Sequence, residues 1–345
     1  MTPQSLPVFR GASANDVWVQ AASAVMDGGL AEQPSRGGAT REILHAVFQI
    51  EEPQQRWIPS RRPAANPAFA IAEALWILWG RNDGDLPVFF NPKFPQFSGA
   101  GPLHMGAYGY RLRRAFGLDQ LERSADALAV DPSSRQVVLQ IWSAPDDLPR
   151  SDGSSQRDDI PCNVVSMLKV RDGRLHWTQV MRSNDLVLGL PHNIVQFTTM
   201  QEVVAGWLGV GLGPYTHLSD SLHVYHRDLQ NVESVSPVVP VKNVDSLALP
   251  REDSRAVLRD LEERFNNMIN ARLSPRLLDR LAAIEGLPSA YGNLVLVAAA
   301  DTAQRRGWHD LTEHYRAACS NPALSQMLTA WLERKSLRTR PDAHT

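Results

Sequence analysis

Cysteine is nearly absent from this chain. Cys162 and Cys319 are the only two in 345 residues, too few for a disulfide framework or a structural zinc site. No run approaches the roughly 18 apolar residues of a membrane span. Residues 1–15 lack the basic start and apolar core of a secretory signal. A formal net charge of −2 gives no electrostatic case for a nucleic-acid polymer or an anionic membrane as partner. Also missing are a glycine-rich phosphate loop, a Gly-x-Ser-x-Gly elbow and a Cys/His cluster at metal spacing, so no metal is expected. What remains is a globular composition, 43% apolar and 21% charged. The length suits one large or two ordinary domains, and a reducing cytoplasm suits a working thiol.

The informative stretch begins at Asp159-Ile160-Pro161-Cys162. Alternation over 164–170 predicts a strand, Arg171-Asp172-Gly173-Arg174 a tight turn, and 175–181 the return strand. This hairpin carries Cys162 into one end and Arg182 out of the other, at the same sheet edge. A lone cysteine is more often a small buried apolar residue than a nucleophile. Nearby positive charge favours the thiolate, and Arg182 supplies it. The polar run Arg182-Ser183-Asn184-Asp185 and then Leu188-Gly189-Leu190-Pro191-His192-Asn193 follow. Further on, His223 and Tyr225 stand two apart on a predicted strand, so they share a face.

Taken together, Pro161-Cys162-Asn163, Arg182-Ser183-Asn184-Asp185, Leu188 to Asn193 and His223-Val224-Tyr225 resemble the thymidylate synthase family, which includes the pyrimidine nucleotide hydroxymethylases. Order and spacing agree, and the resemblance runs over about residues 36–228. It extends to Glu73-Ala74-Leu75-Trp76-Ile77-Leu78-Trp79-Gly80 and to Tyr108-Gly109. It implies an α+β fold, a twisted mixed sheet flanked by helices, assembled as a homodimer. It also implies a pyrimidine mononucleotide as substrate and 5,10-methylenetetrahydrofolate as one-carbon donor.

The resemblance assigns roles position by position. Cys162 is the nucleophile, Glu73 orders water and handles protons, and Tyr108 belongs to the active site. Asn193 reads the base. Arg36 (with Arg41 as the alternative) and Arg182 hold the phosphate, Ser183 belongs to the substrate site, and Arg135 reaches the phosphate of a neighbouring subunit. His223 and Tyr225 hold the sugar hydroxyl, and Asp185 faces the folate. An asparagine at 193 suits uracil's O4 and N3–H. Several positions depart from the pattern: Asn163 for histidine, Met181 for glutamine, Gln136 for a second arginine, and Phe94 and Phe97 for a tryptophan pair. Asp220-Ser221-Leu222-His223 replaces Gly-Asp-x-His.

The division expected is a catalytic core over 1–235 and a mainly helical region over 236–345 packed on it. Helices are expected over 16–27, 66–80, 193–208, 254–271, 275–284, 293–306 and 310–335. The polar tail at 338–345 differs from the apolar tail that closes over folate in the family. Three functions remain open: methylation of deoxyuridylate to thymidylate, which the family favours; hydroxymethylation of a uridine or cytidine nucleotide; and nucleotide binding without turnover.

Overall fold

A computed structural model describes residues 6–27, 30–35, 37–233, 235 and 238–339. Among them eight strands form one mixed sheet: β1 (Val8–Gly11), β2 (Ala31–Gln33), β3 (Thr40–Ile50), β4 (Val138–Gln140), β5 (Asn163–Arg171), β6 (Arg174–Met181), β7 (Asn184–Asp185) and β8 (Gly211–Tyr225). The order across the sheet is β1-β3-β8-β6-β5-β4, with β2 on β3 and β7 on β8. The β1–β3, β6–β8 and β7–β8 pairs are parallel and the others antiparallel. The α+β expectation is borne out.

The predicted hairpin is β5–β6. Asp172 and Gly173 both have positive φ, 50° and 68°, the backbone that a two-residue turn needs to match strand twist. Register then lines up one sheet end. Asn163 pairs with Met181, Met181 with Ser219, Asp185 with His223, and Tyr225 with Thr40. Cys162, Arg182, Asp185, His223 and Tyr225 therefore come from separate strand ends to one edge.

A bulge decides which way the last two point. The β3–β8 pairing passes from Leu44↔Ser221 to Ala46↔Ser219, and His45 and Asp220 drop out of it. His45 has φ 56° and bonds Asp220 Oδ1 through Nδ1 at 2.8 Å. Before the bulge Gly213, Tyr215, His217 and Ser219 are buried; after it Leu222 and Val224 are. An uninterrupted period of two would have buried His223 and Tyr225. The shift leaves both half-buried.

The helix expected over 66–80 is Pro67–Leu78, capped by Asn66, whose side chain accepts from the Ala68 amide. Eleven apolar residues around it are buried, so it is core on nearly every side. Leu190–Leu208 is the long central helix and starts three residues before the expected 193. It lies against β6 and β8 on one side and the Pro67 helix on another.

Beyond β8, helices Arg251–Met268, Pro275–Leu281 and Ser289–Arg305 match expectation in place and type. The single helix expected over 310–335 is two, His309–Ala318 and Pro322–Thr339. Pro322 cannot donate into a continuing helix. Asn321 Oδ1 instead accepts from the amides of Ala323 and Leu324 at 3.0 and 3.1 Å and starts a new one. The apolar helix Ser289–Arg305 packs on Pro67–Leu78 and is buried at 14 of its 17 positions.

Candidate active site

Cys162 sits just before β5, half-buried. Its carbonyl accepts the Arg182 amide at 2.9 Å, closing the hairpin's open end. The Arg182 guanidinium folds back over the same loop. Nε donates to Pro161 O at 3.0 Å and Nη2 to Ile160 O at 3.2 Å, which leaves Nη2 3.8 Å from Cys162 Sγ. A cation held at that distance stabilises a thiolate. Arg182 is otherwise exposed, with Ser183 half-buried beside it.

Tyr108 enters from the turn Tyr108–Tyr110. That turn packs so closely on the Pro67 helix that a Cβ on Gly109 would lie 2.3 Å from Ile77 O. Only glycine permits the approach. The Tyr108 ring leans on Phe197, centroids 6.2 Å apart. Its hydroxyl lies beside Asn163 and within the electrostatic reach of Cys162 and Glu73; burial first, and then those neighbouring charges, push its pKa well up.

Glu73 projects from the Pro67 helix toward the start of the Leu190 helix. Burial lifts its pKa to about 7, opposed by a hydrogen bond from Gln196. Its Oε2 lies 4.0 Å from His192 Nδ1. Both atoms are buried with no hydrogen-bond partner among the described residues, as is Asn163 Nδ2. Buried polar atoms in native proteins are normally satisfied by protein or water. Three such atoms, on Glu73 and Asn163 near Tyr108 and on His192 beside Glu73, mark a place built for a polar ligand or ordered water. Burial and Arg61 hold His192 neutral, with its pKa lowered to about 3.

Asn193, buried on the first turn of the long helix, donates through Nδ2 to Asn184 Oδ1 at 3.2 Å. The turn leading into that helix is held from three directions. Asp185 Oδ1 accepts the amides of Val187 and Leu188 at 2.7 and 2.8 Å. Trp18 Nε1 donates to Leu186 O at 2.8 Å and Arg61 Nε to Val187 O at 2.6 Å. Burial raises the Asp185 carboxyl, against those amides and the adjacent His223. His223 and Tyr225 meet edge to face at 5.3 Å, and Arg227 stacks on Tyr225 at 4.0 Å. Gly37 also lies against the Tyr225 ring, which brings the early loop to this edge.

A profile of the thymidylate synthase family matches residues 18–252. The chain belongs to the thymidylate synthase family. Among its relatives, the deoxyuridylate hydroxymethyltransferase of Bacillus phage SP01 is 33% identical over 269 residues, covering 74% of this chain and 67% of that protein. The one from Pseudomonas phage M6 is 39% identical over 170 residues, 49% of this chain and about half (47%) of that protein. A Methanosarcina barkeri protein named "Putative thymidylate synthase" is 26% identical over 229 residues, 66% of this chain and 94% of its own length. Family membership bears out the expectation of one-carbon transfer at C5 of a pyrimidine nucleotide.

Within this thymidylate synthase-family chain, the sequence-derived residues Cys162, Arg182, Ser183, Glu73, Tyr108, Asn193, Asp185, His223 and Tyr225 fall at one end of the sheet. Arg36 lies outside the described residues. Arg135 is exposed and does not join them. It precedes β4 near Val137, whose carbonyl takes the Leu168 amide, at the hairpin's far end from Cys162. At about 3.3 Å per residue that is roughly 20 Å away. Phe94 is buried among Phe69, Trp76 and His104, whereas Phe97 is 59% exposed.

Sequence reasoning missed His192, Gln196 and the supporting role of Asn184. His192 and Gln196 are four apart, so they share one helix face, and both meet Glu73. That spacing was a usable signal. Among the described residues no group of three or more His, Cys, Asp or Glu could hold a metal ion, and no helix is long and apolar enough to cross a membrane.

Proposed function

We propose that this chain hydroxymethylates C5 of deoxyuridylate with 5,10-methylenetetrahydrofolate as donor. The observation that carries the reading is the Cys162 thiol beside the Arg182 guanidinium, with Tyr108 within electrostatic reach of both Cys162 and the buried Glu73. The Cys162 thiolate adds to C6 of the ring. Asn193 donates to O4, where negative charge develops, and accepts from N3–H. The carbon at C5 becomes the nucleophile that takes the one-carbon unit. Glu73, poised near pH 7, exchanges protons with the ring and its water. Loss of the C5 proton and cleavage of the one-carbon unit's bond to its carrier nitrogen leave an exocyclic methylene; water adds to it and Cys162 departs with its electron pair. Arg182, Ser183 and Arg36 bind the phosphate, and His223 with Tyr225 the sugar.

The residues present fit a folate. Asp185 commits Oδ1 to two turn amides, so its other oxygen suits a ligand N–H, and the exposed Phe97 ring suits a flat heterocycle. Bound methylenetetrahydrofolate supplies the one-carbon unit and, in methylation, a hydride as well. Arg135 completes the site of a second copy in a homodimer, and the chain works in a reducing cytoplasm.

Hydroxymethylation leads because both phage relatives carry that activity in their names, at higher identity than the archaeal one. Methylation is the second reading, favoured by the archaeal relative, 94% of whose length this chain covers. One reaction separates them. Deoxyuridylate and methylenetetrahydrofolate yield hydroxymethyl-deoxyuridylate and tetrahydrofolate in the first case, thymidylate and dihydrofolate in the second. With 5-fluoro-deoxyuridylate in place of substrate, the adduct should map to the Cys162 peptide and not to that of Cys319. Turnover by Cys162→Ser at the parent rate would end the covalent mechanism.

A further inference from the structure

Asn193 does not by itself choose a base. A side-chain amide turned by half a revolution exchanges its oxygen and nitrogen at almost the same positions. One orientation offers a donor to O4 and an acceptor to N3–H, which is uracil. The other offers an acceptor to the N4 amino group and a donor to N3, which is cytosine. Some group behind Asn193 must hold one orientation.

A buried chain of hydrogen bonds does so. Asn193 Nδ2 donates to Asn184 Oδ1 at 3.2 Å. Asn184 turns its own Nδ2 to His217 Nε2 at 3.0 Å and to Ser219 Oγ at 3.2 Å. His217 Nδ1 meets the Tyr215 hydroxyl at 2.9 Å. Asn184, His217, Ser219 and Tyr215 are all at most 2% exposed. An amide nitrogen facing Nε2 requires that nitrogen to be an acceptor. The ring proton is then on Nδ1, and Tyr215 accepts it. Burial keeps the imidazole neutral, lowering its pKa to about 3, so it has one donor and one acceptor and no more. Each member thus dictates the polarity of the next.

We propose that Asn184 is the positioning residue that sets base preference, holding the Asn193 amide in its uracil-reading orientation, with His217 and Tyr215 as its anchor. The inference rests on the reading of Asn193 as a base contact. Asn184 touches no substrate, and the sequence offers it only as the variable position of Arg-Ser-x-Asp.

The test measures dissociation constants of deoxyuridylate and deoxycytidylate by calorimetry on the full chain. Asn193→Ala should weaken deoxyuridylate binding; if it does not, the base contact itself is wrong. Asn184→Leu keeps the branched outline and removes all three hydrogen bonds, so the uracil-to-cytosine preference should fall at least about tenfold. Asn184→Asp still presents an acceptor to Asn193 and should retain the preference. Tyr215→Phe deletes one hydroxyl remote from substrate, lets the ring proton move to Nε2, and should shift the ratio in the same direction by a smaller factor. If Asn184→Leu does not fold, Tyr215→Phe decides. An unchanged ratio in both, or equal weakening of both nucleotides, overturns the proposal.

Discussion

Replacing Glu73 by glutamine should make the protein more stable at neutral and alkaline pH while removing turnover. The carboxyl has an ordinary value of 4.5 and is held at about 7 in the folded chain, chiefly by burial. Below pH 4.5 it is protonated in both states and contributes nothing to the pH dependence. Between 4.5 and about 7 the native state keeps a proton that the unfolded state has released. Stability therefore falls as pH rises through this window. The interval, at about 1.4 kcal/mol per pH unit, is worth about 3 kcal/mol. The side chain is 14% exposed, so little solvent screening reduces it. Glutamine has nearly the same shape and no titration. Urea denaturation of both proteins at pH 5, 6, 7 and 8 measures the difference. It should be small at pH 5 and grow to about 3 kcal/mol in favour of Glu73→Gln by pH 8. A difference that does not vary with pH would refute the assignment of a buried, proton-holding carboxylic acid, and with it the role given to Glu73 in proton exchange.

Two further outcomes follow from the geometry. Glu202 and Arg56 form an ion pair with both side chains at most 3% exposed, and Glu202 also accepts from Gln54 Nε2 and the Leu247 amide. Glu202→Ala leaves a buried guanidinium without its partner and should cost about 3–5 kcal/mol, read from urea midpoints at constant slope. Arg182→Ala should weaken deoxyuridylate binding by about 1.5–3 kcal/mol through loss of a charge-assisted phosphate contact; calorimetry showing unchanged affinity would remove Arg182 from the phosphate site.

The parts of this molecule that were legible in its sequence are those encoded by neighbouring residues. The β5–β6 hairpin announced itself through alternation around Asp172-Gly173, and the Pro67 helix through its early proline, its apolar content and the glycine at 80 that ends it. The helix break at Asn321-Pro322 was equally local and was passed over, because the apolar spacing on either side reads as one period. Other features depend on chain segments far apart. Nothing near Asn184 in sequence reveals that His217 and Ser219 stand behind it, since β7 and β8 meet only through the sheet. The phase shift at His45 and Asp220 belongs to two strands at once, 175 residues apart. The spacing of His192 and Gln196 is local, but the carboxylate they meet comes from another helix, more than 100 residues earlier.

The packing of Ser289–Arg305 on Pro67–Leu78 bears on where this enzyme's working machinery ends. Ile71, Ala74, Leu75 and Leu78 turn away from Glu73's side of the helix and meet Ala290, Tyr291, Leu294 and Leu324 around a void of about 30 Å³. Trp79 Nε1 donates to Leu258 O, and the Tyr291 hydroxyl to Leu247 O. The helix that carries Glu73 thus has its back in the last third of the chain. A chain cut at residue 252, where the match to the family profile ends, would open that back to water and loosen Glu73 from behind. The stretch that matches the family profile is therefore shorter than the unit needed to keep one carboxyl group dry.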